Sequence, residues 1–185
     1  MNPNGRYFRN VSLAVLLSLV ADPAAVAKET SIAILDFELN DLALNLTPNP
    51  VNAEEAERTA SLKPLLQAAL AARGGYRIVE VGSKNQDKAE RGFGYLFDHH
   101  DVAAELGHDF GADWIIVGRV HKASFLFVYF KAHLISTETE RLVGDYTVEV
   151  KGQQKQITPK GIERLAEQID DTIRGHLAKQ PDTSL

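Results

Sequence analysis

The chain has 185 residues, 44% hydrophobic and 24% charged, with a formal net charge of −5, the values of an ordinary globular protein long enough for one domain with a real core. Its acidic balance and singly scattered lysines and arginines argue against a nucleic-acid partner, because phosphate contacts supply most of that affinity. The absence of cysteine excludes a disulfide framework, thiolate catalysis, thiolate metal sites and a lipid-modified N-terminal cysteine.

Arg6 and Arg9 precede an apolar stretch, Val11–Ala21 ("VSLAVLLSLVA"), and "AVA" at 25–27 offers small residues at the two positions a signal peptidase reads. Eleven residues rise about 16 Å as a helix, roughly half of a bilayer core, so the segment suits a cleaved leader better than an anchor; a buried first helix is the structural alternative. The expected organisation is a signal peptide over 1–27, a single domain over 28–180 and a frayed tail over 181–185. Cleavage near Ala27 removes Arg6, Arg9 and Asp22, takes the net charge from −5 to −6 and leaves a soluble periplasmic or secreted protein with no membrane insertion. The later apolar runs are broken or bounded by Arg119, His121, Lys122 and Lys131.

"SIAILDFELN" reads as the first strand, with Ala33, Leu35, Phe37 and Leu39 on one face and Ile32 and Ile34 on the other. "NDLALNLTPNPVN" follows as an irregular loop. Ala53–Arg73 carries a helical stripe of Leu62, Leu65, Leu66, Ala69 and Leu70; Pro64 either sits in the first turn after a Ser61 cap or kinks the helix. Tyr76–Val81 is the second strand, and Gly82–Asp98 a polar loop in which Phe93, Tyr95 and Phe97 alternate. A helix over about Asp101–Phe110 presents Val102, Leu106 and Phe110. "WIIVGRV", "SFLFVYFKAHLIS" and "RLVGDYTVEV" are three further strands, the last two joined by a turn at "TETE". Pro159 leads into a final helix with Ile162, Leu165, Ile169, Ile173 and Leu177 on its stripe. Early alternation followed by a run of strands predicts an α/β (α+β) fold: one mixed sheet of about five strands, parallel at the start and an antiparallel meander at the end, with three helices.

The landmarks "IAILDFEL", "LQAALAARGGYRIVE", "GADWIIVGRV" and "LISTETERLV" are similar to those of the amino-terminal domain of the translocation protein TolB, the curli secretion lipoprotein and outer-membrane lipoprotein activators of peptidoglycan synthases. "ILDFEL", "GADWIIVGRVHKASFLF" and "STETERLV" more closely resemble the exported family called domain of unknown function 3280, over about residues 31–178. The resemblance implies a TolB amino-terminal-like fold and an envelope protein that binds another envelope protein. Family members carry cysteines near the positions of His99 and His100, so a redox role does not carry over to this chain. Some relatives occur beside periplasmic quinoprotein oxidation systems, which implies a second reading: a small metal- or ligand-binding accessory protein.

Four groups of residues have the chemistry for a site. Phe93, Tyr95 and Phe97 present three alternating rings, either as an exposed interaction platform or folded over the sheet edge. Asp101, Glu105 and His108 share one helical face at i, i+4, i+7, a spacing that suits a divalent ion completed by His121 or His133 and equally suits a solvated face. His100 and His108 lie about 12 Å apart along the axis and cannot share an ion. Asp36 and Glu38 project from one face near the end of the first strand, as a carboxylate pair about 7 Å apart or as caps for loop backbone. His99 and His100 fall at a helix start, and His121 and His133 at the solvent-facing edges of a hairpin. No nucleophile elbow, P-loop or dinucleotide fingerprint is present, so no catalytic residue and no resident cofactor is expected.

Overall fold

The computed structural model describes residues 29–42, 53–124, 126–151 and 154–179. The leader over 1–27, the tail over 181–185, Phe125 and most of the loop after the first strand lie outside the described residues. In chain order the elements are β1 (Thr30–Ile34), β2 (Glu38–Asp41), α1 (Ala53–Arg73), β3 (Tyr76–Val79), α2 (Ser83–Ala89), α3 (Tyr95–Asp98), α4 (His100–Asp109), β4 (Trp114–Lys122), β5 (Phe127–Ser136), β6 (Arg141–Lys151) and α5 (Gln154–Leu177).

The fold is mixed α/β, as the element order predicts. One sheet runs β3-β1-β4-β5-β6, with β2 also paired to β4. β1 is parallel to β3 and β4, the arrangement a helical crossover such as α1 permits. β4, β5 and β6 form the antiparallel meander. Helices cover both faces. Ile32, Ile116, Phe130 and Leu134 pack under α1 and α5, whereas Ala33, Ile115, Val117 and Ile135 pack under the short helices α2, α3 and α4.

The structure corrects the sequence reading in three places. The described residues hold six strands and five helices, because the expected first strand is two strands and the expected loop over 82–98 contains two short helices. The break between β1 and β2 has a physical cause in the pairing with β4. Ile34 lies opposite Ile116 and Glu38 opposite Arg119, so four residues on one strand span three on the other. One extra residue flips every later side chain to the opposite face. Phe37 and Leu39 therefore join Ile32 and Ile34 beneath α1, and not Ala33 and Leu35.

The α4 face is the third correction. α4 buries Ala103, Ala104, Leu106 and Gly107, leaving Val102 half-buried and Phe110 37% exposed, so its inward face is one of small residues. Gly107 is in close contact with the sheet: a Cβ there would stand 2.8 Å from the Thr137 methyl and 3.0 Å from Ile115 Cβ. Of the α5 stripe, Ile162, Leu165, Ile169 and Ile173 are buried and Leu177 is exposed. α1 is continuous through Pro64, with Leu62, Leu66 and Leu70 buried along it.

Candidate functional site

β4 is the central rail of the site. Arg119 lies on it opposite Glu38, the first residue of β2. Glu38 Oε2 accepts from Arg119 Nη2 at 3.1 Å and from Nε at 3.2 Å, a two-pronged pair whose side chains are both largely shielded from water. The other carboxylate oxygen accepts the Gly94 N–H at 2.6 Å. One carboxylate thus ties the sheet to the loop that precedes α3.

Gly94 is required there twice over. Its φ of +83° lies in the left-handed region, and a Cβ would fall 2.5 Å from Arg119 Nη2. The same guanidinium lies over two rings, with its central carbon 4.9 Å from the Phe93 ring centre and 4.3 Å from that of Phe97. Such contacts contribute about 0.5–2 kcal/mol, more as water is excluded. The Glu90 carboxylate adds a second tie by accepting the Leu96 N–H at 3.3 Å, and burial raises its pKa. Glu38→Gln is expected to destabilise the protein by about 1–3 kcal/mol, since it removes the charge partner of a shielded guanidinium. Urea unfolding measures the loss, and faster amide exchange at Gly94 locates it.

The three aromatic residues do not form one platform. Phe97 is buried with Leu96 against Val117 and Ile135, Tyr95 stacks on His99 at 4.0 Å, and Phe93 stands 62% exposed. The period-two alternation is broken because Gly92 and Gly94 both take positive φ and residues 95–98 make a helical turn.

Below this loop two imidazoles meet. His100 Nε2 lies 3.1 Å from His133 Nδ1, which also lies 3.1 Å from the Phe97 carbonyl oxygen. The Phe97 ring rests 3.7 Å from the His133 ring, and His133 Nε2 faces Asp145 at 3.5 Å. Burial lowers the His133 pKa, opposed by Asp145. His133 is therefore not a solvent-facing edge residue. It belongs to the face of β5 covered by the short helices, where α3 and α4 reach it. His121 lies 3.3 Å from the Asn40 amide and packs obliquely near Tyr129.

Asp36 and Glu38 go to different partners. Asp36 accepts from Ser83 Oγ at 2.6 Å and pairs with Lys63 at 3.3 Å, while its backbone N–H donates to Gln86 Oε1 at 2.8 Å. It fastens the β1–β2 break to α1 and α2, whereas Glu38 fastens the aromatic loop. Beside them a hollow of about 700 Å³ runs along β2, with Phe37, Leu39, Ala56 and Ala60 in its lining and Phe93 at its edge.

Asp101, Glu105 and His108 do share a face, and with Glu138 and Glu140 they line a second hollow of about 780 Å³. They do not converge: among the described residues no three His, Asp or Glu side chains are placed to hold a metal ion. His133, the distant ligand considered for that set, contacts His100 instead.

Sequence reasoning missed a buried charge network. Lys122 Nζ lies 2.9 Å from Asp41 and 3.2 Å from Glu55, and Glu55 also pairs with Arg58. Lys122, Asp41 and Glu55 are all buried, and burial lowers the Arg58 pKa against the pull of Glu55. The signal was present in α1, where Glu55 and Thr59 extend the Leu62, Leu66, Leu70 stripe to the helix start.

Fold and site define a mixed α/β domain whose most elaborated feature is an aromatic loop clamped by a shielded ion pair. The chain belongs to the DUF3280 family, described as "Protein of unknown function (DUF2380)", whose sequence model matches residues 30–169. No curated protein matches the chain. Similar solved structures include the LpoB C-terminal domain from Salmonella enterica, 15% identical over 70% of this chain and 87% of that one, with a TM-score of 0.45. Lipoprotein GNA1162 from Neisseria meningitidis is 16% identical over 82% and 98%, with a TM-score of 0.47. TolB from Acinetobacter baumannii is 15% identical over 82% of this chain and 29% of its own, with a TM-score of 0.43. Likenesses at this level carry no argument about partners or activity.

Proposed function

We propose that this protein is a non-enzymatic accessory module of the cell envelope, soluble in the periplasm after leader removal, that binds another envelope protein through Phe93 and the rim of the adjoining hollow. Phe93 carries the proposal. A ring 62% exposed to water is held on a loop fixed by the Glu38 carboxylate, the Arg119 guanidinium and a glycine whose positive φ larger residues rarely adopt. Fixing a large apolar contact before binding lowers the entropy lost on association, which is what a docking residue needs. The hollow beside it offers apolar lining for a complementary protrusion. Leu126, 65% exposed at the tip of the β4–β5 hairpin, gives a second contact on the hairpin edge. The leader-like residues Arg6, Arg9 and Val11–Ala21 support the compartment. Among the described residues no helix is long and apolar enough to cross a membrane.

A photo-reactive phenylalanine analogue at position 93, introduced in the producing cells, tests the reading. The expected result is a discrete adduct with one envelope protein. Binding of that purified protein is then weakened about 30-fold or more by Phe93→Ser, the effect of losing a contact worth about 2 kcal/mol. Stability changes by less than about 1 kcal/mol, because the ring is mostly in water and a cation contact at an exposed site contributes about 0.5–1 kcal/mol. An absent adduct, or unchanged affinity in Phe93→Ser, overturns the proposal.

A further inference from the structure

We propose that His100 and His133 form a proton-operated latch on the aromatic loop, closed while one of the two facing nitrogens, His100 Nε2 or His133 Nδ1, keeps its lone pair and opened when both are protonated. The inference rests on the docking reading above for what the latch controls, namely the Phe93 surface.

The geometry defines the closed state. His133 projects from β5 and is faced by His100 from α4, Asp145 from β6, Arg119 from β4 and the Phe97 carbonyl from α3. With one proton on Nδ1, His133 donates towards the Phe97 carbonyl and the His100 Nε2 lone pair, each 3.1 Å away. This fastens the junction of α3 and α4 to the sheet. The Phe97 ring lies against His133 at 3.7 Å and against Arg119 at 4.3 Å, so the latch and the Phe93 anchor share one side chain.

A proton on His100 Nε2 removes the acceptor. Two N–H groups then point at each other across 3.1 Å, and once His133 Nε2 is protonated as well, two positive rings face each other with Arg119 a third cation nearby. Asp145, 3.5 Å from His133 Nε2 with its side chain 65% exposed, opposes this repulsion, and burial of His133 outweighs its pull. Separation of the rings is the relief available, and it carries Phe97 and the α3 turn away from β5.

Burial supports the same direction by holding the His133 pKa below the ordinary imidazole value of 6.5. The unfolded chain therefore takes up its proton first as the pH falls. The stabilisation is whole above about pH 6.5 and is lost as the pH falls through the lower folded value.

Amide hydrogen exchange of the full chain, at about pH 7.5 and about pH 5 and corrected for intrinsic rates, tests the latch without needing a partner. Protection over residues 94–100 is expected to fall about tenfold at the lower pH, while the centre of β4 keeps its protection. In His100→Asn and in His133→Gln the ratio between the two pH values is expected to be near unity, whatever the absolute protection. Unchanged protection in the unsubstituted protein, or a fall that survives either substitution, overturns the latch. Failure of the docking reading is visible elsewhere, in the Phe93→Ser affinity, so the two are distinguishable.

Discussion

Lys122→Met is expected to lower the free energy of unfolding by about 3–5 kcal/mol, the loss typical when one partner of a buried ion pair is removed. The substitution preserves most of the side-chain volume, so packing is not the cause. Lys122 is 4% exposed, and Asp41 and Glu55 are each 9% exposed. Its ammonium stands 2.9 Å from one carboxylate and 3.2 Å from the other. Without it two acidic groups remain shielded from water near each other, and Arg58 still pairs with Glu55. Replacing Asp41 and Glu55 by leucine and Arg58 by methionine in the Lys122→Met background is expected to restore most of the loss, because an apolar cluster of similar volume leaves none of these charges buried. Urea unfolding with an unchanged slope measures both effects. A loss below about 1 kcal/mol, the range of solvated surface pairs, contradicts the buried network.

The second large effect is at Gly118. This residue sits in the middle of β4, and the Phe37 ring occupies the space above it; a Cβ there would fall within 2.5 Å of Phe37 Cδ1. Gly118→Ala is expected to destabilise by about 1–3 kcal/mol through overpacking. Shortening Phe37 relieves the clash. The double variant Gly118→Ala with Phe37→Leu is therefore expected to be more stable than the sum of the single changes by about 1 kcal/mol or more. Additive losses contradict the contact, and with it the reversal of face between β1 and β2. Phe37 reaches Gly118 only because the extra residue at that break turns it towards α1.

The same break shows what is legible in a single strand. "RLVGDYTVEV" could be placed because Tyr146, Val148 and Val150 alternate along β6 and are buried. The α5 stripe could be placed because Ile162, Leu165, Ile169 and Ile173 keep a helical period. The run from Ile32 to Leu39 alternates equally well, but its register is set by β4, more than seventy residues later, and periodicity within the run does not record that pairing.

The site followed the same division. Composition singled out Phe93, Tyr95 and Phe97, but their fates differ because Gly92 and Gly94 take positive φ and the chain then turns into α3. Arg119 was hidden in the apolar run "WIIVGRV", where it read as an interruption and not as the partner of Glu38. His133 read as an edge residue because the turn that covers it, α3, follows two glycines of positive φ inside a segment that reads as a polar loop. Asp101, Glu105 and His108 were correctly placed on one face, since helical spacing is local. Among the described residues no three His, Asp or Glu side chains are placed to hold a metal ion, a placement that helical spacing does not record.

Exchange mapping with and without the envelope protein captured at position 93 tests the central claim most directly. The account predicts slowed exchange over residues 91–97 and the rim of the hollow along β2, with the acidic hollow at Asp101 and Glu105 unaffected. Protection on the α5 face or at that acidic hollow, with residues 91–97 unchanged, would contradict it.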